Sequence, residues 1–324
     1  MDAIDKKLLL QLMKNSRAPI SRLAKTPGLT RERIRHRLPK LVELGVIKSF
    51  ITRIHQPAFC KGIANFTAKL VRFDTIRLEE IIKTLKKNPQ INWITELCGN
   101  ADIMCTILYK DLDQLSKTIS EITSIIGKNL QDHQLSLYIH EYKFDRSGLL
   151  TGEKTLSQED SVRFSEKDIP TFTKEDLIIL SKLAKNARIK NVDLSEAANI
   201  SEDVVRLRIK NLEKKGIIKG YTIVLDPSKL GFEGYQIGMN LEQMTKQTIS
   251  HLISYVNSNP YIIFCARTSG KFNIMLELEV KDRLHFKKVL QELRSEFKDN
   301  IKNYEFQLSL NDYKEVFVPE GFFI

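Results

Sequence analysis

The chain has 324 residues, about twice the ~150 residues of an average domain, so two to four domains are expected. Hydrophobic residues make up 42% and charged residues 28%, which is typical of a folded globular protein and excludes a disordered chain or a collagen-like fibre. No apolar run approaches the ~20 residues that a membrane-spanning helix needs, and the first residues lack the apolar stretch of a signal peptide. We therefore expect no membrane partner.

Neither the cysteines nor the histidines form a recognisable local site. The four cysteines include no CxxC pair, which argues against a disulfide framework and a cysteine zinc site. The six histidines are scattered along the chain, at His36, His55, His133, His140, His251 and His285. We expect no metal and no cofactor, and a reducing cytoplasm as the location.

The net charge of +11 is concentrated in two short segments. Residues 1–50 contain twelve Lys or Arg against four Asp or Glu, and residues 172–220 contain eleven against seven. Two matching basic segments are typical of surfaces that bind a polyanion such as double-stranded DNA.

The two basic segments belong to a tandem repeat. A shift of 171 positions aligns Asn15 with Asn186, Arg17 with Arg188 and Gly45 with Gly216. The match continues through Asn88-Pro89 with Asn259-Pro260 and Ile103-Met104 with Ile274-Met275. This period is too long for a solenoid repeat, so a whole module is duplicated. The sequence predicts two domains in each half.

The front of each half, residues 1–54 and 172–226, predicts a winged helix-turn-helix. In the first copy, an apolar stripe over residues 4–15 predicts the first helix, and a second helix starts at Ile20. Thr30 caps a third helix that ends at Gly45, and residues 46–54 form the strand of the wing. In the second copy, Ser201 and Gly216 take the cap and stop positions. The third helix of such a domain normally lies in the DNA major groove.

The outward face of each third helix supplies the candidate DNA contacts. If Ile34, Leu38 and Leu41 point inward, Arg33 and Arg35 are the best-placed contacts in the first copy. The full set is Arg31, Arg33, Arg35, His36, Arg37 and Lys40 in the first copy, and Arg206, Leu207, Arg208 and Lys210 in the second.

Three residues of the third helices leave alternatives open. Arg37 lies at the edge of the buried stripe, where a structural salt bridge is the alternative to DNA contact. Leu207 either touches a thymine methyl group or is one of the isolated exposed leucines of any surface. Pro39 lies inside the first recognition helix and predicts a kink after Arg35.

The back of each half, residues 60–144 and 230–324, has the element order βαββαβ of a ferredoxin-like domain. The fold class is therefore α+β, a tandem repeat of two such two-domain modules. Two helices cover one face of each sheet, so the other face is solvated or covered by a partner. This predicts a homo-oligomer or a pseudo-dimer within one chain. Residues 145–171 are polar and predict a linker, unless Leu149-Leu150 anchors part of it to a neighbouring domain.

The combination resembles the Lrp/AsnC family of transcription regulators. The second copy carries the resemblance best, in Asn186-Ala187-Arg188, Gly216-Ile217-Ile218-x-Gly220-Tyr221 and Leu225-Asp226-Pro227. The first copy contributes Asn15-Ser16-Arg17 and Gly99-x-x-Asp102. The resemblance implies DNA-binding dimers, often of higher order, that bind an amino-acid effector near the Gly-x-x-Asp turn. The family is normally one copy long, so a fused pair would present two half-sites ~34 Å apart.

The implied effector residues are Gly99, Asp102, Gly270 and Asn273. The second copy has lost the acid, so only Asp102 offers a carboxylate to an ammonium group. The alternative is that both glycines merely shape β-hairpins.

We expect a sequence-specific regulator and not an enzyme. One alternative is a sirohaem-decarboxylase-like tetrapyrrole enzyme, which resembles the same fold, but its dense His/Asn/Arg strand motif is not apparent here. The other is an architectural DNA-binding protein of low specificity, which salt-dependent binding without a preferred site would favour.

Overall fold

The structure is a computed structural model, which describes residues 1–153, 162–163 and 170–323. In the first half of the chain the helices and strands are, in order, α1 Ala3–Lys14, α2 Ile20–Leu23, α3 Arg31–Glu43, β1 Ile47–Ile54, β2 Gly62–Leu70, α4 Thr75–Leu85, β3 Ile91–Cys98, β4 Ile103–Tyr109, α5 Leu112–Ile126, β5 Leu130–Phe144, α6 Ser147–Thr151 and β6 Val162–Arg163.

The second half repeats the order of the first ten of these elements, α1 to β5. Its elements are α7 Lys174–Lys185, α8 Asn191–Ala198, α9 Glu202–Lys214, β7 Ile218–Leu225, β8 Glu233–Leu241, α10 Lys246–Ser258, β9 Ile262–Ser269, β10 Ile274–Val280, α11 Arg283–Glu296 and β11 Ile301–Glu315. The predicted fold class, two winged helix-turn-helix and βαββαβ modules in tandem, is confirmed. None of the described helices is long and apolar enough to span a bilayer.

The chain forms two compact units, which differ from the four separate domains expected from the sequence. The helix-turn-helix unit comprises Met1–Phe59, Asp168–Leu230 and Val316–Ile324, and the sheet unit comprises Cys60–Lys167 and Gly231–Glu315. Each unit therefore combines equivalent elements from both copies, because strands of one copy pair with strands of the other.

Local chemistry sets the recognition helices where the sequence predicts them. The side chain of Thr30 accepts a hydrogen bond from the Arg33 amide at the start of α3, and Ser201 does the same for Val204 at the start of α9. Gly45 and Gly216 follow the helix ends with φ of +71°, a left-handed conformation that favours glycine. Pro39 is exposed and lies inside α3, which continues through it to Glu43.

A two-stranded antiparallel sheet joins the two copies in the helix-turn-helix unit. β1 pairs with β7, and Ile51 lies opposite Thr222, its own equivalent in the repeat. This register relates the two copies by a pseudo-two-fold axis through that pair. Each predicted wing is thus a single strand that completes its pairing with the other copy, and not a wing formed within one copy.

Eight strands of the sheet unit form a closed ring. Their order is β2-β4-β3-β11-β8-β10-β9-β5, and β5 also pairs with β2, which closes the ring. The long strands β5 and β11 make the joints, because each pairs with its own copy through one end and with the other copy through its second end. Closure satisfies the strand edges that an open four-stranded sheet would expose.

The helices of the sheet unit cover two separate apolar cores. In the first copy, residues such as Phe66, Ile81 and Ile122 are almost completely buried between the sheet and helices α4 and α5. In the second copy, Ile237, Leu252 and Val289 fill the equivalent space against α10 and α11.

A lysine from each copy caps a helix of the other, and Lys143 is buried whereas Lys314 is half-buried. The ammonium group of Lys143 donates to the carbonyls of Val256 and Asn259 at 2.7 and 2.9 Å, at the end of α10. Lys314, its equivalent, donates to the carbonyls of Lys86 and Asn88 at 3.1 and 2.9 Å, beyond the end of α4. Burial lowers the pKa of both lysines to about 8.

Part of the predicted linker 145–171 is folded onto the sheet unit. Arg146 is 11% exposed and binds Glu279 at 2.8 Å and Glu315 at 2.7 Å. Leu149 and Leu150 of α6 are buried, so the alternative that they anchor this segment is correct. The prediction of a linker over 154–161 and 164–169 lies outside the described residues.

The predicted domain 230–324 ends too late, because its last residues belong to the helix-turn-helix unit. Val318, Phe322 and Phe323 are buried. The ring of Phe323 packs edge-on against that of Phe59, with 5.3 Å between the ring centroids. The side-chain amide of Gln56 also donates to the Phe317 carbonyl at 2.8 Å. Apolar burial after β11 therefore ties the C-terminal segment to the helix-turn-helix unit.

Candidate nucleic-acid interface

The first recognition helix presents its basic residues to solvent. Ile34 and Leu41 are buried and Leu38 is half-buried, as the helical period predicts. The exposed side chains on the other faces include Arg31, Arg33, Arg35, His36 and Lys40.

The arginines at the start of α3 differ in what they bind. In the described parts of the chain, the guanidinium groups of Arg31 and Arg35 make no hydrogen bond or ion pair. Arg33 donates to the carbonyl of Gly28 at 3.0 Å and so folds back onto the turn before the helix. Of these three arginines, Arg31 and Arg35 therefore have the guanidinium groups that are available to phosphates or base edges.

Arg37 and Arg208, two of the predicted DNA contacts, are bound by acidic side chains of their own domains. Arg37 forms ion pairs of 2.7 Å with both Asp2 and Asp5 of α1. A hydrogen bond to Asp5 is the main reason that the pKa of Arg37 is raised. Arg208 binds Asp176 of α7 at 3.0 Å in the same way. Each fastens its recognition helix to the first helix of the domain, which is the salt bridge weighed as the alternative for Arg37.

The second recognition helix has a different exposed face. Arg206 binds Asp203 at 2.7 Å and lies 3.6 Å from Glu202, and the hydrogen bond to Asp203 raises its pKa. Leu207 is 58% exposed, and Lys210 is exposed as well. All three side chains point to solvent as predicted, but only Arg206 already has acidic partners.

Two further arginines, outside the residues predicted to bind DNA or an effector, connect the helix-turn-helix copies. Arg17 donates to the carbonyls of Ala187 and Ile189 at 2.6 and 2.9 Å and to the side chain of Asn191 at 2.7 Å. Arg188, its equivalent, donates to the carbonyl of Ser16 at 2.8 Å. The repetition of Asn-Ser-Arg and Asn-Ala-Arg in the two copies was the available signal, and it marks the contact between them.

The four predicted effector residues instead hold the β3–β4 and β9–β10 turns. The carboxylate of Asp102 accepts a hydrogen bond from the Leu70 amide at 2.7 Å and another from Lys69 at 3.1 Å. Asn273 accepts from the Leu241 amide at 2.9 Å, so the amide side chain replaces the acid in the second copy. This geometry favours the alternative that the motif shapes the turn.

The glycines of these turns permit a close approach between the copies. A methyl group on Gly270, where φ is +152°, would lie 2.7 Å from the Ser136 hydroxyl and 2.8 Å from the Leu135 carbonyl. At Gly99, where φ is +143°, it would lie 3.0 Å from the Cβ of Gln307. Gln307 in β11 and Ser136 in β5 are equivalent positions, so each turn packs closely against the long strand of the opposite copy.

A small polar pocket lies between the two copies inside the sheet unit. It has a volume of about 70 Å³, and its wall includes Asn65, His133, Gln236 and the ion pair of Lys271 with Glu305. The hydrogen bond from Lys271 lowers the pKa of Glu305. Gln236 is 2% exposed, and neither its amide nitrogen nor its amide oxygen has a hydrogen-bond partner among the described residues. An unpaired buried amide is costly, which makes this pocket a candidate for a small polar ligand.

The histidines do not converge in the structure. His36 is exposed on α3, His133 lines the pocket, and His251 binds Glu296 at 2.6 Å on the surface. No group of three or more His, Cys, Asp or Glu side chains in the described ranges is arranged to hold a metal ion.

Comparisons with known proteins match both halves of the chain to one family. The sequence model of the AsnC-type helix-turn-helix domain matches residues 1–42, that of a winged helix-turn-helix DNA-binding domain residues 176–219, and that of the Lrp/AsnC ligand binding domain residues 236–318. The HTH-type transcriptional regulator FL11 of Pyrococcus horikoshii is 32% identical over 127 residues, which are 39% of this chain and 83% of that protein. The transcriptional regulator AzlB of Bacillus subtilis is 33% identical over 108 residues, 33% of this chain and 69% of that protein.

One solved structure resembles nearly the whole chain. The siroheme decarboxylase NirDL superposes with a TM-score of 0.63 and covers 98% of this chain and 96% of that one. The sequence identity is only 14%, so this similarity establishes a shared fold.

Proposed function

Because this chain belongs to the Lrp/AsnC family of transcription regulators, we propose that it binds double-stranded DNA through α3 and α9 and regulates transcription from that site. The observation that carries the proposal is the pair of exposed recognition helices, related by the pseudo-two-fold axis through Ile51 and Thr222. Dimeric helix-turn-helix proteins place two such helices in successive major grooves. Here both helices come from one chain.

The salt dependence of DNA binding tests this proposal. Each phosphate neutralised by Lys or Arg adds about −0.9 to the slope of log K against log salt concentration. Fluorescence anisotropy with labelled duplexes should give a clearly negative slope and a preferred sequence. Salt-dependent binding without sequence preference would support the architectural alternative, and no binding at low salt would refute the proposal.

We propose further that one chain suffices for binding, as a pseudo-dimer. The β1–β7 pairing and the closed ring of strands already supply contacts that a homodimer would make between subunits. Light scattering should then give a complex with the mass of one chain plus one DNA duplex, whereas the mass of two chains plus one duplex would favour a homo-oligomer.

We propose that the pocket around Gln236 binds a small polar effector such as an amino acid. The unpaired amide of Gln236 offers a donor and an acceptor, while Lys271 and Glu305 provide charges of both signs at the pocket wall. Calorimetry with each common amino acid tests this, with Gln236→Leu as the variant that should remove any heat of binding. No heat from any amino acid would contradict the effector proposal and leave DNA binding unaffected.

A tetrapyrrole decarboxylase is the second candidate, because the resemblance to siroheme decarboxylase spans the full tandem chain and not one copy. The pocket around Gln236, at about 70 Å³, is smaller than the ~300–1,000 Å³ pockets that hold drug-sized ligands. Incubation with sirohaem distinguishes the two. A decarboxylated product or a coloured complex would support the enzyme, and neither is expected.

A further inference from the structure

The exposed faces of the two recognition helices differ at the positions nearest their N-termini. Equivalent positions in the repeat pair Arg31 with Glu202, Arg33 with Val204, and His36 with Leu207. All six side chains are exposed. The first pair inverts the charge, the second removes it, and the third replaces a polar ring by an aliphatic group.

The one arginine that both faces share is also in a different state. Arg35 makes no hydrogen bond or ion pair in the described chain, so its guanidinium is available to DNA. Its equivalent, Arg206, is bound by Asp203 and faces Glu202. The acids that hold Arg206 also repel phosphates, which reduces the attraction of α9 for the DNA backbone.

The fold fixes these unlike faces in one arrangement. β1 pairs with β7, and Arg17 and Arg188 make reciprocal hydrogen bonds between the copies, so both helices belong to one compact unit. A homodimer presents the same side chains to both half-sites and therefore favours a palindrome. This chain presents different side chains at the two ends of its pseudo-two-fold axis.

We propose that the preferred DNA site of this protein is non-palindromic, with a half-site read by α3 that differs in base chemistry from the half-site read by α9. This inference rests on the proposed DNA-binding function. The uncommitted guanidinium groups of Arg31 and Arg35 match the acceptors of guanine in the major groove. The aliphatic side chain of Leu207, with Val204 beside it, matches the methyl group of thymine.

The α3 half-site also carries most of the phosphate attraction. Its first six residues, 31–36, contain three arginines and one acid, whereas residues 202–207 contain one arginine and two acids. Binding is therefore tighter to the α3 half-site, and the α9 half-site contributes selectivity with little gain from backbone contacts.

In vitro selection of the full chain from a random duplex library, followed by footprinting, tests the proposal. The expected result is a motif whose halves are not inverted copies of each other, with guanines in one half and thymines in the other. A palindromic motif would overturn this inference while leaving the DNA-binding function intact. Failure to enrich any duplex at low salt would overturn the function and the inference together.

Two single substitutions assign the halves. Arg35→Ala should weaken binding to the selected site roughly 5- to 150-fold and relax preference at a guanine in one half only. Leu207→Ala should relax preference at a thymine in the opposite half. Relaxation in both halves by either variant would contradict a separate role for each helix. Both residues are exposed, so the melting temperature should stay unchanged and show that the fold is kept.

A charge reversal tests the imbalance between the helices. Glu202→Arg makes this position of α9 match Arg31, and it should steepen the slope of log K against log salt concentration by about 0.9 for one added phosphate contact. Glu242→Arg makes the same charge change at an exposed position of the sheet unit and serves as the control. Equal changes for both variants would contradict a specific deficit at α9.

Discussion

The buried ion pairs of Arg146 are expected to stabilise the sheet unit, and a single substitution tests this. Its guanidinium lies between Glu279 and Glu315, and the side chains are 11%, 4% and 18% exposed. Burial raises the pKa of Glu279, and the nearby charge of Arg146 opposes that rise. Among the described residues, Arg146 is the only cation that forms an ion pair with Glu279 or Glu315. Arg146→Met therefore leaves both carboxylates without a cationic partner.

The expected loss follows from leaving buried carboxylates unpaired. Removal of one partner of a buried ion pair costs about 3–5 kcal/mol. For a unit of 150–250 residues, each kcal/mol lowers the melting temperature by about 2–4 °C, so a fall of roughly 6–20 °C is expected. Differential scanning calorimetry measures it, with the transition of the sheet unit identified by hydrogen exchange on β10 and β11.

The pH dependence gives the sign of the effect. The folded-state pKa of Glu279 is raised, so between its unfolded value and that raised value the folded state holds more protons than the unfolded state. Stability from this group therefore decreases as the pH rises through that window, and loss of Arg146 enlarges the decrease. The deficit of Arg146→Met should be largest near neutral pH and shrink as the pH falls towards the unfolded pKa of 4.5.

A rescue variant completes the test. Adding Glu279→Gln to Arg146→Met removes one of the two unpaired carboxylates and should recover part of the lost stability at pH 7. A deficit below about 1 kcal/mol, well under the expected cost of an unpaired buried charge, would refute the reasoning. A deficit that does not change with pH, or one that the second substitution deepens, would do the same.

Three further predictions concern single sites. Arg35→Ala should weaken DNA binding by about 1–3 kcal/mol without changing the melting temperature, whereas Arg37→Ala should lower the melting temperature and leave the salt slope of binding unchanged, as anisotropy and calorimetry can show. Gly270→Ala should destabilise the sheet unit in urea unfolding much more than Gly152→Ala, because the new methyl group meets Ser136 and Leu135 at the first site and nothing within 4 Å at the second. The pKa of Lys143 is lowered to about 8, so the folded state holds fewer protons than the unfolded state between pH 8 and 10.5. The unfolding free energy of the native chain, measured relative to that of Lys143→Met, should therefore rise with pH across that window. A fall would contradict the assignment.

The elements of the fold could be predicted from the sequence because their signals are local. Thr30, Ser201, Gly45 and Gly216 act at the helix ends where their chemistry indicates, and the 171-residue shift reveals the duplication. Helix period also places the exposed faces of α3 and α9 correctly. Capping, periodicity and repetition all operate within one short segment, so no knowledge of distant contacts is needed.

The pairing between the copies could not be predicted, since it depends on partners far apart in sequence. Nothing in residues 46–54 shows that β1 pairs with β7 and not within its own wing. The β3–β11 and β5–β9 joints likewise depend on strand edges that become available only after each sheet has formed.

The candidate site was predicted only in part for the same reason. Helical geometry identifies Arg31 and Arg35 as exposed, but it does not reveal that Arg37 binds Asp2 and Asp5 or that Asp203 holds Arg206. The Gly-x-x-Asp turn was assigned to an effector through family resemblance, whereas the structure commits its side chains to backbone hydrogen bonds. Side-chain partners on neighbouring helices and strands decide which charges remain available.

Quantitative DNA binding by the whole chain is the most direct measurement of the central claim. Anisotropy titrations of the native chain and of the double variant Arg31→Ala/Arg35→Ala, at several salt concentrations, compare affinity and slope in one series. We predict that the native chain binds duplex DNA with a negative salt slope and that the double variant shows a weaker affinity and a shallower slope. Equal affinities and slopes for the two proteins, or no binding by either at low salt, would contradict the claim that these recognition helices bind DNA.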